Sequence, residues 1–274
     1  MTTFSNTSLL RRWVPVLLFA FCVVWLYTIL LGLPYFGDWD SVYYPVLFLD
    51  NPYDHKGFLN PPWVLFILYP LSLFSKHVAG ALWMTISVVI VIYCARKLGS
   101  DWLGYFLIFT NPSFIRFLSS GQIDALILLG LVLTQFPWNI LLLVIKPQVF
   151  GMAIFLKLRT VKVIHLLIIS TIVILTLAIF GNWFQHIFHN WQIGVNHNVS
   201  MDVFPYGIPI GIVFFLLARK NSDLIIGALS SFFFVPYVSP SSIFIYAILI
   251  FSSFTTINRL IVYGLLWTMA TMLM

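Results

Sequence analysis

The chain has 274 residues, of which 61% are apolar and 8% are charged, and its net charge is +6. Soluble domains contain roughly 25% charged residues, so this composition excludes a water-soluble fold of the same length. The apolar residues form long runs, and each membrane crossing requires about 20 of them. We therefore expect an all-α, polytopic integral membrane protein.

Three other classes fit the sequence less well. Strands of a membrane barrel alternate polar and apolar residues over about ten positions, and no such pattern repeats here. The basic residues stand mostly in pairs between apolar runs, which indicates membrane topology and not nucleic-acid binding. A secretory signal would begin as this chain does, with Arg11-Arg12 before an apolar run. No small-x-small cleavage site follows the run, so we expect an uncleaved first span.

The first span is predicted at about residues 14–33, and Arg11-Arg12 places the N-terminus in the cytoplasm. Residues 34–77 then form the first outer loop, with a short surface helix predicted at 40–50. The apolar segment opened by Asn60-Pro61-Pro62-Trp63 is too short to cross, so we expect a re-entrant or interfacial helix there.

We predict about 9–11 membrane helices in a single domain that covers residues 1–274. The later crossings are predicted at about 78–95, 102–110, 123–136, 139–145, 149–156, 163–180, 203–218, 224–238, 242–254 and from 260 onward. Residues 182–202 are predicted as an outer loop.

The distribution of positive charge supports this topology. Ten of the fourteen Lys and Arg residues fall on the cytoplasmic side, as the positive-inside rule predicts. They are Arg11, Arg12, Arg96, Lys97, Lys157, Arg159, Lys162, Arg219, Lys220 and Arg259. The outer ones are Lys56, Lys76, Arg116 and Lys146. If the segment after Asn60 crossed the membrane, the later pairs would lie outside, so we reject that alternative.

Acidic residues are scarce and clustered. All eight are aspartates, and Asp38, Asp40 and Asp50 stand close together in the first outer loop. A carboxylate at a membrane face can act as a general base or hold a cation against a phosphate. Asp40 is equally suited to cap the helix predicted there, so both interpretations stay open.

Lys146 lies between an apolar run and Pro147, deep in a predicted hairpin. A lysine in this position either binds an anion or extends to the membrane surface. Pro147 frees backbone groups, which is tolerated only beside protein or a water-filled cavity. We therefore favour a lysine that binds phosphate or carboxylate.

Asp124 begins an apolar segment after Gly121-Gln122-Ile123. An acid at this point also complements a helix dipole, so a structural role competes with a functional one. Arg116 is a candidate partner for Asp124 or for a substrate phosphate.

The predicted outer loop at 182–202 contains His186, His189, His197 and Asp202. The first two are three residues apart and would share one helix face as metal ligands, but the spacing indicates no third ligand. We expect a surface for glycans or lipid headgroups there and no metal site.

Seven motifs of the chain occur in an order that is seen in one family. They are Asp38-Trp39-Asp40, Tyr43-Tyr44, Asn51-Pro52-Tyr53-Asp54, Pro61-Pro62, Asn111-Pro112, Gly121-Gln122-Ile123-Asp124 and Lys146-Pro147-Gln148. Over about residues 10–165 the chain resembles the GT-C glycosyltransferases. It looks most like the polyprenol-phosphate-mannose-dependent mannosyltransferases of glycosyltransferase family 87.

This resemblance implies a GT-C-like fold in the plasma membrane, with the active site on the outer face. It implies inverting transfer of a hexose such as mannose from a polyprenyl-phosphate sugar to a lipid or glycan acceptor. The general base would be Asp40 or Asp38. The predicted substrate-binding residues are Lys146, Gln148, Gln122, Asp124, Arg116 and Tyr44. Donor, acceptor and membrane lipids are the expected partners, and nucleic acid is not.

The Asp38-x-Asp40 pair could also hold a divalent cation, but the family that the chain resembles works without metal, so we expect no cofactor. A rival hypothesis is a transporter or flippase for a lipid-linked saccharide or a small anion. Such a protein would be expected to show repeated halves with broken helices at matching positions, and the sequence shows none. A non-catalytic subunit of a membrane complex is a third hypothesis.

Overall fold

The computed structural model describes residues 7–134, 138–195 and 203–272. Over these ranges the chain forms α-helices and no β-strand, which confirms the predicted all-α class. The helices are α1 (Thr7–Leu31), α2 (Tyr44–Val46), α3 (Trp63–Leu68), α4 (Lys76–Lys97), α5 (Trp102–Thr110), α6 (Pro112–Ser120), α7 (Asp124–Val132), α8 (Trp138–Leu143), α9 (Pro147–Leu158), α10 (Val163–Phe180), α11 (Trp183–Val195), α12 (Ile208–Asn221), α13 (Leu224–Ser231), α14 (Pro240–Ser253) and α15 (Thr256–Met272). A π-helical turn (Trp39–Tyr43) precedes α2, and 3₁₀ turns cover Pro52–Asp54 and Tyr69–Leu73.

Among the described helices, α4 and α10 are long and apolar enough to cross a membrane. The helices α6 and α7 meet at 112° and would add a third crossing if they form one broken span. Most other predicted crossings are helices of 6–17 residues, and a full crossing needs about 20. The predicted count of crossings and the GT-C-like architecture therefore stay predictions.

The surface of α10 is typical of a helix surrounded by lipid. Its mean hydropathy is 2.8 and only 6% of its residues are buried inside the protein. A helix that is apolar on all sides requires either a protein core or a membrane around it. Since little protein covers α10, lipid is the environment that its sequence fits.

The packing centre of the protein consists of α4, α7 and α14, which contact one another. The first helix packs on α4, and α8 packs on α7. On α6, Phe117 is fully buried and its ring lies 4.8 Å from that of Phe244 in α14, measured between centroids. The start of α7, the end of α6 and the start of α14 lie beside the loop that follows α1.

Two sequence-based predictions of secondary structure need correction. The segment predicted as an outer loop at 182–202 forms helix α11 over most of its described part, because apolar residues recur at helical spacing along it. The helix predicted at 40–50 ends at Val46. After that point the chain turns, and the Asn51 side chain accepts a hydrogen bond from the Tyr53 amide at the start of the next turn.

The sequence did not predict a separate helix after α5, and Asn111 explains why α6 forms. Its side-chain oxygen accepts hydrogen bonds from the amides of Ser113 and Phe114 at the start of α6. Its side-chain nitrogen donates to the carbonyls of Leu107 and Ile108 at the end of α5. One buried amide thus satisfies backbone groups of both helix ends, and the chain can bend sharply there.

Candidate active site

The site begins with the turn that follows α1. Trp39 is fully buried, its indole N–H donates to the Lys76 carbonyl at 3.1 Å, and its ring stacks on Trp83. These contacts hold the π-helical turn against α4. They leave the neighbouring Asp38 partly exposed toward a cavity.

The two acids of the Asp-x-Asp pair have different environments. Asp38 lines the cavity. Asp40 is buried, with 8% of its surface exposed, and its carboxylate accepts a hydrogen bond from the Phe36 amide at 2.8 Å. One Asp40 oxygen thus accepts from backbone within its own turn, and the other is buried without a hydrogen-bond partner in the described residues. Of the two acids, Asp38 is the one that lines the cavity.

A glycine allows the turn that ends α6 to pack directly on this loop. Gly121 has a φ of +65°, and a Cβ atom added to it would lie 2.5 Å from the Cβ of Trp39. Only glycine adopts this conformation routinely and has no side chain to collide. The close approach places Gln122 beside the Asp38 turn, and the Trp83 indole N–H fixes Gln122 by donating to its carbonyl at 3.2 Å.

Residues between α1 and α4 also fix the turn that carries Lys146. The Asn60 side chain donates to the Ile145 carbonyl at 3.1 Å, and the Trp63 indole N–H donates to the Leu141 carbonyl at 3.0 Å. The Leu141 carbonyl lies in the last turn of α8, and the Ile145 carbonyl directly precedes the lysine. The position of Lys146 is therefore determined by residues about 85 positions earlier in the chain.

Lys146 is the centre of a buried polar chain. Its ammonium lies 2.5 Å from the Asp124 carboxylate and donates to the side-chain oxygen of Gln122 at 2.6 Å. Asp124 is fully buried and accepts a second hydrogen bond, at 2.8 Å, from the Ser242 hydroxyl of α14. The Tyr43 hydroxyl donates to the same Gln122 oxygen at 3.4 Å. An ammonium has three donors, so one remains for a ligand.

Neighbouring charges and burial act on the groups around the cavity. Burial raises the pKa of the Asp38 carboxyl above its ordinary value, the positive charge of Lys146 opposes this rise, and the negative charge of Asp124 adds to it. Burial also raises the pKa of the Tyr43 phenol, and the charges of Asp38 and Asp124 add to that rise. Tyr43 is therefore a neutral hydrogen-bond donor, and Asp38 accepts a proton more readily than an ordinary aspartate does.

The larger cavity has a volume of about 700 Å³. Its polar end contains Asp38 and the hydrogen-bonded residues Tyr43, Gln122 and Lys146. The polar lining residues also include a second cation, Lys56, together with Asn60, Gln148, Ser239 and Ser242. Most of its remaining wall is apolar and includes Ile140, Val144, Ile169, Val173, Ile187 and Phe188. Since α10 and α11 supply part of this wall and both are largely exposed, the apolar part of the cavity lies close to the outer surface of the helix bundle.

A second, smaller pocket of about 460 Å³ adjoins the first. Asp38 and Gln122 line both spaces. The other lining residues of the smaller pocket include Arg116, Ser119 and Ser120 of α6 and Ser241 of α14. The two spaces differ in the residues that line them: most residues around the larger cavity are apolar, whereas most around the smaller pocket carry polar side chains.

The structure brings most of the predicted site residues together. Asp38, Gln122, Lys146 and Gln148 border the larger cavity, and Asp124 lies directly behind Lys146. Arg116 borders the smaller pocket, and no ion pair joins it to Asp124 in the described part of the chain.

Other predicted residues lie elsewhere. The Tyr44 hydroxyl donates to the Phe74 carbonyl at 2.9 Å, outside both spaces. His186 and His189 are exposed on α11, and the His186 ring stacks on Tyr53. Within the described residues, no three His, Cys, Asp or Glu side chains come together as a metal site. His197 and Asp202 lie outside the described residues.

Tyr43 and the serines of α14 belong to the site although the sequence pattern did not predict them. The Ser239 hydroxyl lies within hydrogen-bond distance of the Ser241 and Ser242 hydroxyls, and the Ser242 hydroxyl donates to Asp124. The available signal was Ser239-Pro240, since a serine followed by proline is typical of a helix start. That signal predicts a helix end and not a contact with a residue 118 positions away.

Comparison with known proteins adds no assignment: no protein-family model, curated protein or solved structure matches the chain.

Proposed function

We propose that this chain is a multi-pass membrane glycosyltransferase that moves a hexose from a polyprenyl-phosphate sugar to a lipid or glycan acceptor. The observation that carries the proposal is that Asp38 borders two adjoining spaces of different chemistry. A group-transfer enzyme must bring two substrates to one reacting point. A carboxylate at the junction of the two spaces suits a base that serves that point.

The larger cavity supports the choice of donor. Its apolar wall suits a hydrocarbon chain, and Lys146 at its polar end suits a phosphate. The helices α9 and α14 begin at this end, and their N-termini carry partial positive charge. A donor of this kind is held by lipid and needs no nucleotide-binding domain.

Asp124 and Gln122 support a role for Lys146 in stabilising the leaving group. They fix the ammonium at the cavity wall before any ligand binds. A cation that is already oriented in a low-dielectric site stabilises developing negative charge without reorganisation. One ammonium donor stays available for the phosphate.

In the proposed reaction, the acceptor hydroxyl oxygen forms a bond to the anomeric carbon of the donor while its proton passes to the Asp38 carboxylate. The bond between the anomeric carbon and the phosphate oxygen breaks, and its electron pair stays on the phosphate beside Lys146. Attack from the face opposite the phosphate inverts the anomeric configuration. The raised pKa of Asp38 suits this role, because a base is most effective when its pKa approaches the working pH.

The test is transfer by purified protein in nanodiscs of zwitterionic lipid. Polyprenyl-phosphate mannose and glucose, each radiolabelled in the sugar, are supplied with lipid extract of the native membrane as acceptor. The expected result is a glycolipid or glycan product from one donor, with inverted anomeric configuration by NMR. Asp38→Asn should lower the rate about 100-fold or more. Asp40→Asn is the matched control, since an asparagine oxygen can still accept from the Phe36 amide.

An unchanged rate in Asp38→Asn would remove the assignment of the base. Movement of the donor lipid between leaflets of sealed vesicles, without any glycosylated product, would favour a flippase instead.

A further inference from the structure

The smaller pocket contains a cation that the proposed reaction does not use. Arg116, Ser119 and Ser120 of α6 are spaced three and four residues apart and fall on one helix face. The adjacent Phe117 is buried and packs on Phe244. A polar face of this kind requires an aqueous or ligand-filled space beside it, because lipid cannot satisfy its hydrogen bonds.

Arg116 is exposed, and no acidic side chain of the described residues lies within ion-pair distance of its guanidinium. The ion pairs in the described residues join Lys146 to Asp124 and Arg259 to Asp101, and neither includes Arg116. The Asp124 carboxylate is occupied by Lys146 and Ser242. A guanidinium binds phosphate or carboxylate in a planar, two-point geometry, so the exposed Arg116 side chain can bind such an anion in the pocket.

We propose that the smaller pocket is the acceptor site and that Arg116 selects an acceptor with an anionic group close to the hydroxyl that is glycosylated. This inference rests on the proposed function and adds the acceptor's chemical class to it. The volume of about 460 Å³ lies within the range of small-ligand sites and accommodates a phosphorylated or carboxylated sugar. The serine hydroxyls of α6 and α14 supply hydrogen bonds for such a polyhydroxy compound.

The arrangement also separates two negative charges. The donor phosphate would lie at Lys146 in the larger cavity and the acceptor anion at Arg116 in the smaller pocket, with Asp38 and Gln122 between them. Each anion has its own cation, so repulsion between the substrates is reduced. An anion bound at Arg116 would keep the acceptor hydroxyl beside the Asp38 carboxylate, which lines the same pocket.

The experiment measures equilibrium binding without any donor, by NMR titration of full-length protein in nanodiscs of phosphatidylcholine. The probes are glucose 6-phosphate, glucuronate and uncharged glucose. We expect at least one anionic probe to bind more tightly than glucose. Arg116→Gln should weaken that binding about ten-fold, and Arg116→Lys should weaken it less because the charge remains. Arg219→Gln, which removes an exposed arginine at the end of α12, should bind as the wild type does.

Short-chain phosphatidylglycerol, compared with glycerol 3-phosphate, identifies the source of a phosphate. Tighter binding of phosphatidylglycerol than of glycerol 3-phosphate indicates a lipid headgroup, and equal binding indicates a soluble phosphorylated acceptor. Either result supports the inference if Arg116→Gln weakens the binding. Equal binding of glucose and its anionic analogues, or wild-type affinity in Arg116→Gln, would overturn it. If transfer is observed but this binding is independent of Arg116, the proposed function stands without the inference. If the binding depends on Arg116 but no transfer occurs, the anion site stands and the proposed function fails.

Discussion

The ammonium of Lys146 lies 2.5 Å from the carboxylate of Asp124, and the two side chains are 12% and 0% exposed. Asp124 begins α7, Lys146 lies between α8 and α9, and the two side chains meet beside the cavity that Asp38 lines. Removing both charges from water is costly, and their mutual attraction offsets this cost only when the geometry is good and further hydrogen bonds are made. Gln122 and Ser242 provide those hydrogen bonds.

The first prediction concerns the stability of this pair. Lys146→Gln and Asp124→Asn should each lower the free energy of unfolding by about 3–5 kcal/mol, because each removes one charge and leaves its partner buried. The double variant should cost less than the two single changes together. Thermal unfolding in detergent measures all three. Lys76→Gln, at an exposed lysine, is the control and should stay within about 0.5 kcal/mol of the wild type. Additive costs in the double variant would show that the two residues are not coupled.

The second prediction concerns pH. A base must be deprotonated to work, and burial raises the pKa of Asp38 above its ordinary value of 3.8. The transfer rate should therefore fall, as pH decreases, at a pH above that value. Lys146 lowers the pKa of Asp38 and Asp124 raises it. The acid limb of the rate profile, where the rate falls as pH decreases, should therefore move to higher pH in Lys146→Gln and to lower pH in Asp124→Asn. Rate profiles at saturating donor measure the shifts. Identical acid limbs in the wild type and both variants would contradict the assignment of Asp38.

Sequence alone predicted the helical class and the scarce charges of the site, for a physical reason. Ionisable groups are so costly in an apolar chain that Asp38, Asp124 and Lys146 could be selected from composition and position. Gln122 was predicted only through the family resemblance, as an amide near the donor phosphate. The choice between Asp38 and Asp40 could not be made, since it depends on how the π-helical turn orients two neighbouring side chains.

Residues without charge could not be found in the same way. Serine and tyrosine are ordinary in membrane helices, so Ser242 and Tyr43 carry no signal until their contacts are known. The contact from Ser242 to Asp124 joins distant parts of the chain, and local pattern does not predict such a contact. For α11 the spacing of Trp183, Ile187 and other apolar residues was visible, but its histidines and asparagines favoured a loop.

The third prediction tests the close approach of the α6–α7 turn to the Asp38 loop. Gly121→Ala places a Cβ atom 2.5 Å from the Cβ of Trp39 at a positive φ. The left-handed conformation alone costs about 1–2 kcal/mol, and the collision adds to it. We expect a lower unfolding temperature and loss of transfer.

The matched control is Gly151→Ala in α9, where an added Cβ has nothing within 4 Å. Since alanine is a better helix former than glycine, this variant should be unchanged or more stable by about 0.5–1 kcal/mol. Equal stability of both alanine variants would show that the loop tolerates a shift away from Gly121.

The fourth prediction concerns Ser242, whose hydroxyl donates to the buried Asp124 carboxylate at 2.8 Å. Ser242→Ala removes a hydrogen bond to a charged group, which contributes about 1.5–3 kcal/mol. Lys146 is then the partner that remains to Asp124 in the described residues, so the ammonium should be drawn away from the cavity and the KM for the donor should rise.

Ser252→Ala in the same helix is the control, because the Ser252 hydroxyl is buried without a hydrogen-bond partner in the described residues. Unfolding temperatures and donor KM values should change in Ser242→Ala and not in Ser252→Ala. Similar effects of both variants would mean that α14 responds to the loss of any hydroxyl and that Ser242 has no specific role in orienting Asp124.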